Sequence, residues 1–140
     1  RSDFAAALKD NFIYVFGGFN GRELSTADRY SIDNNIWEDL ADVPTKWPLF
    51  GHCAITATGS EIYIVGGNSG SVDVFDTGPS LSWKNPTYVR DMPEVRRSAA
   101  FVLMERYLLI IGGCDRKGAV TASCFIYDFL YNHWSSTPAS

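Results

Sequence analysis

Apolar residues along this chain come in short, dense runs with no helical spacing between them. IYVF at residues 13–16, IYIV at 62–65 and LLII at 108–111 are each stopped by a glycine pair. A run of β-branched, aromatic and large aliphatic side chains closed in this way predicts a buried strand, ending where the backbone turns or approaches a neighbour closely. The first glycines of the pairs, Gly17, Gly66 and Gly112, recur at nearly equal intervals. Three copies in so short a chain indicate an internal repeat.

The rest of each copy keeps the same order. Ala5, Ala54 and Ala100 precede the first glycine by a constant distance, within the small apolar segments AAAL, CAITA and AAFVL. Such residues suit a crowded inner strand, strand A, where a bulky side chain would clash with its neighbours. The glycine-closed run is strand B. After the glycines comes a third segment with an aromatic near its end, Tyr30, Phe75 or Tyr127, which marks strand C. Trp37, Trp83 and Trp134 follow at nearly constant spacing and open strand D, and the connection from tryptophan to the next alanine has the same length both times. Because these aromatics and glycines recur in register, they are read as packing positions.

In combination these residues resemble the kelch family, and the resemblance covers nearly the whole chain. The glycine pair, the aromatic with Asp76 or Asp128 after it in two copies, the tryptophan, and then Val43-Pro44 or Met92-Pro93 fall in the family's order. The interval is near the ~50 residues of a kelch blade. The resemblance implies an all-β chain of three four-stranded β-propeller blades, with strand A lining a central channel and strand D outermost. On this reading blade 1 spans about 1–43, blade 2 about 44–93 and blade 3 about 94–140. Departures are Ser31 where the family has Asp, Leu109 where the other copies have Tyr14 and Tyr63, and Phe50 at the place of the arginine that Arg1 and Arg96 supply elsewhere.

A propeller closes with about four to eight blades, each covering the apolar faces of the next. Three blades leave two faces uncovered. The expectation is that this segment belongs to a larger, six-bladed ring completed by a longer chain, or that two copies close one ring by two-fold rotation.

Composition narrows the function classes. A hydrophobic content of 46% supports a core, and 14% aromatic residues suit an all-β chain. The formal net charge of −4, with no basic run, argues against nucleic acid and anionic membranes as partners. No apolar run approaches the ~18 residues of a membrane helix. Cys53, Cys114 and Cys124 fit no CxxC motif and are read as small apolar residues in a reducing, intracellular (cytoplasmic) setting. His52 and Cys53, adjacent on a strand, point to opposite faces and do not share a metal. His133 has no ligand-type partner at useful spacing. No metal and no cofactor is expected.

What the copies do not share points to function. Length variation is concentrated between strands B and C, in FNGRELST at residues 19–26, NSGS at 68–71 and CDRKGAVT at 114–121. Loops on a rigid scaffold change without disturbing the core and so carry binding. By resemblance, the B–C and D–A loops share the rim on which kelch domains hold partners. Candidate partner-binding residues there are Arg22, Asn68, Ser69, Arg96, Arg97, Arg116 and Lys117, donors suited to an acidic or extended peptide. Trp47, outside the repeat frame, is a candidate anchor in a connecting loop. The expected function is therefore non-catalytic protein–protein interaction. The contrasting class is a kelch-type oxidase or sugar-modifying enzyme with its site over the channel, which would need converging ligands or paired acids.

Overall fold

The computed structural model describes residues 4–20, 22–44, 52–56, 59–66, 70–85, 87–115 and 117–137. Twelve strands form three antiparallel sheets, each made of four strands consecutive in the chain. The first holds β1 (Ala5–Lys9), β2 (Phe12–Phe19), β3 (Glu23–Ser31) and β4 (Ile36–Leu40). The second holds β5 (His52–Thr56), β6 (Glu61–Gly66), β7 (Val72–Asp76) and β8 (Ser82–Trp83), and the third β9 (Ala100–Leu103), β10 (Tyr107–Ile111), β11 (Cys124–Asp128) and β12 (His133–Thr137). The four-strand unit expected from the repeat is thus present three times.

The inner strands meet: β1 lies against β5 and β5 against β9. Two apolar seams run outward from them. One is filled by Tyr14, Phe16 and Ala27 of the first sheet, with Val43 of the connection after it, against Ile62, Ile64 and Phe75 of the second. The other packs Tyr63, Val65, Val72 and Val74 of the second sheet, with Met92 of the connection after it, against Leu108, Ile110, Phe125 and Tyr127 of the third. Adjacent residues of β6 therefore enter opposite seams, which is why Ile62 to Val65 are all buried. Each such fully buried large side chain stabilises the fold by roughly 1.5–3 kcal/mol.

The same alternation ends in solvent at the third sheet. LLII is as apolar as IYIV, yet only Leu108 and Ile110 are buried, while Ile111 and Val102 on the other face are exposed.

The residue after each strand-C aromatic explains one departure from the family pattern. Asp76 Oδ1 accepts bonds from Ser60 Oγ and the Gly78 amide, each at 2.8 Å, and Asp128 Oδ1 accepts from the Leu130 amide at 2.9 Å. Ser31 Oγ accepts from the Asn34 amide at 3.2 Å. Ser31 therefore ties down the C–D turn as the aspartates do.

Candidate functional site

Antiparallel order places the B–C loops and the D–A connections at one end of the sheets. The two sets of segments also touch. The Val43 amide donates to Ser25 O at 2.9 Å, the Met92 amide to Gly70 O at 2.6 Å, and Arg97 and Cys114 exchange backbone bonds at 3.0 and 2.9 Å. The first two bonds lay each D–A connection, as a strap, along the start of its own blade's strand C, and the Arg97–Cys114 pair ties the second connection to the third blade's B–C loop.

The B–C connections differ in form as well as length. In the first sheet Gly17 and Gly18 take positive φ values of 66° and 107°, which an L side chain resists, and a register shift follows between Phe16 and Gly18. Pairing then resumes at Gly18–Leu24 and Phe19–Glu23. Most of the expected 19–26 loop is therefore strand, which leaves only residues 20–22 between β2 and β3. The third sheet keeps a long connection, residues 112–123, folded on itself: Asp115 Oδ1 accepts from the Lys117 and Ala119 amides, both at 2.9 Å, and the Thr121 amide donates to Gly113 O at 3.0 Å.

The candidate residues distribute unevenly over this rim. Arg22 and Lys117 project from the first and third B–C connections with exposed side chains. Arg97 is partly exposed and is held by its two backbone bonds to Cys114. Trp47, Asn68, Ser69 and Arg116 lie outside the described residues.

Arg96 requires correction. Its side chain is buried, only 2% exposed, and its donors are used internally. Nε donates to Glu94 Oε1 at 2.8 Å, Nη1 to Gly112 O and Ser123 O at 3.1 and 3.2 Å, and Nη2 to Ser123 Oγ at 2.7 Å, with the guanidinium 4.4 Å from the Phe125 ring centroid. Arg96 is the pin that fastens the last strap to the third B–C loop and is not a donor for a partner.

One titratable group escaped the sequence reading. Asp73 on β7 is buried in register with Ile64, and its Oδ2 has no hydrogen-bond partner among the described residues. Burial first, and then the nearby Asp91 charge, push its pKa up to about 6 against a smaller opposing effect of a Ser71 hydrogen bond. Its repeat equivalents, Asp28 and Phe125, gave no signal, since no rule marks a single acid in an apolar strand as buried. Among the described residues no group of three or more His, Cys, Asp or Glu side chains is placed to hold a metal ion. No helix among them is long and apolar enough to cross a membrane.

The KLHDC2/KLHL20/DRC7 Kelch-repeats domain matches residues 4–140. The chain belongs to the Kelch-repeat family. Kelch relatives include Beta-scruin of Limulus polyphemus, 25% identical with 99% of this chain and 16% of that protein covered, and Kelch-like protein 33 of Homo sapiens, 28% identical with 89% and 24% covered. Spermatocyte protein spe-26 of Caenorhabditis elegans is 40% identical over 72 residues, 51% of this chain and 12% of that protein. The chain spans less than a quarter of the length of these relatives. Among solved structures, that of YjhT superposes with a TM-score of 0.80 at 19% identity, covering 99% of this chain and 52% of that one. The three sheets are blades of a kelch-type β-propeller.

Proposed function

We propose that this Kelch chain is a protein-recognition module that holds an extended, acidic partner segment across the rim formed by its B–C loops and D–A straps, as a scaffold or substrate-recognition part of a larger intracellular assembly. The observation that carries this reading is the contrast between a four-strand unit repeated three times and B–C connections of unequal length: residues 20–22 in the first blade, 112–123 in the third. A scaffold that repeats its packing and varies one set of loops varies what those loops touch. Arg22 and Lys117 offer exposed cations there, with Arg97 between strap and loop. The ring around the module is completed by blades beyond these three.

Peptide display tests this directly. Extended peptides enriched on the chain carry acidic residues and are lost on the double variant Arg22→Glu, Lys117→Glu, whose melting temperature stays within a few degrees of the parent. Enrichment that survives the double variant refutes the rim as the binding surface.

A further inference from the structure

The buried carboxyl of Asp73 lies just beneath the second blade's rim, where loop and strap meet. It is on the face of β7 that carries Phe75, with Ile64 of β6 and Ala54 of β5 in the same row. One row nearer the rim, His52 is paired with Gly66 across the same two strands. Ser71, two residues before Asp73, donates a side-chain hydrogen bond to the carboxyl. Gly70, next to Ser71, accepts the Met92 amide of the strap at 2.6 Å, and the two approach so closely that a Cβ on Gly70 would sit 3.4 Å from Met92 O. Asp91, the residue before Met92, brings a second negative charge near Asp73.

Little around Asp73 favours its charged form. The residue is 4% exposed, and Oδ2 has no hydrogen-bond partner among the described residues. Across the seam the first sheet presents Phe16 and Ala27, with Val43 of the connection after it, while Asp42 beside Val43 is exposed. The charged pair on that face of the first sheet, Arg29 and Glu38, lies two residues beyond Ala27 along β3, away from the rim, and its members are bonded to each other. An ionised carboxylate in such a place is costly unless water reaches it. On the core side stand Ile64 and Phe75, both buried, so the short path for water runs between the 70–71 connection and the strap. The strap does not move alone, because the Met92 side chain is packed in the other seam with Val72, Val74 and Leu108.

We propose that Asp73 is a proton-controlled latch for the second blade's rim: protonated, it stays enclosed and the strap remains closed on Gly70; ionised, it draws water between connection and strap and frees Met92 from Gly70. Burial and the Asp91 charge push the carboxyl up to about 6. The closed state thus binds the proton more tightly than the open one, and opening rises with pH through that value. The consequence for a partner, weaker capture of an acidic segment as the pH rises, rests on the rim reading above; the latch itself does not.

The test is amide hydrogen exchange on the intact chain with no partner present. Corrected for the intrinsic effect of pH on exchange, protection of the Met92 amide is expected to fall about tenfold between about pH 5 and 7.5. At each pH it is unaffected by urea below the unfolding transition, as a local opening requires. The Thr121 amide, which donates to Gly113 O in the third blade, where Phe125 takes the place of Asp73, stays level. Asp73→Asn abolishes the fall at Met92, which separates Asp73 from His52. Asp91→Asn, a change at an exposed residue, moves the midpoint of the fall to lower pH and keeps the test decisive if Asp73→Asn does not fold. Level protection at Met92 in the parent, an equal fall at Thr121, or protection that urea lowers as it does in β6 overturns the proposal. So does a fall retained in Asp73→Asn or a midpoint unmoved by Asp91→Asn. The rim variant Arg22→Glu, Lys117→Glu keeps the same response, so failure here and failure of the rim reading are separate outcomes.

Discussion

Asp73 and Arg96 show what charge costs and supplies inside this sheet stack. The carboxyl of Asp73 has its pKa raised from the usual 3.8 to about 6, so the folded state disfavours its ionised form. Its contribution to stability is fully present below about pH 4, declines as the pH rises through about 6, and is absent above. Asp73→Asn removes the titration: urea unfolding at a series of pH values should show the parent losing up to about 3 kcal/mol between pH 4 and 7, with the variant flatter over that window. Equal slopes would mean that Asp73 is solvated. At Arg96 the fork geometry is the point, since it spans Glu94, Gly112, Ser123 and the Phe125 ring. Arg96→Lys should cost about 1.5–3 kcal/mol in the same assay, whereas Arg22→Lys should cost nothing measurable. Neither buried charge was legible in the sequence: an arginine beside a loop reads as solvated by default. What distinguished it from Arg97 was only the direction in which the strap turns it.

Among elements, the strap and the glycine pair decide how blades join. Gly113 has φ of +87°, and a Cβ there would sit 2.6 Å from Arg97 O and 2.9 Å from Ala99 Cβ. Gly113→Ala should therefore destabilise the third blade by about 1–3 kcal/mol, read as a lower urea midpoint at unchanged slope. The tryptophans make a sharper comparison. Trp134→Phe removes a bond to Arg90 O and should cost about 0.5–1.5 kcal/mol, but Trp37→Phe should cost almost nothing in this chain, because its indole crosses no seam here. Strand existence, strand order and the recurring packing positions of the tryptophans and aromatics were all legible, because the repeat supplies three readings of one unit. The first B–C loop was not. Its glycine pair bulges and lets the hairpin continue through Phe19 and Glu23, an outcome that depends on backbone pairing and leaves no mark in residue type.

At the scale of the whole molecule, three equally apolar repeats have unequal surroundings. Among the described residues the second blade packs against a neighbour on both faces and the first and third on one each, although IYVF, IYIV and LLII are all suited to burial on both faces. Trp37 reads as core from its register, yet its ring is 60% exposed. Native-state hydrogen exchange of the intact chain tests this arrangement most directly. If the sheets are neighbouring blades joined by two seams, the amides of β6 and β7 exchange slowest, those of β2, β3, β10 and β11 faster, and those of β4 and β12 fastest of all. Protection that is the same in all three sheets, or highest in the first or third, would contradict it.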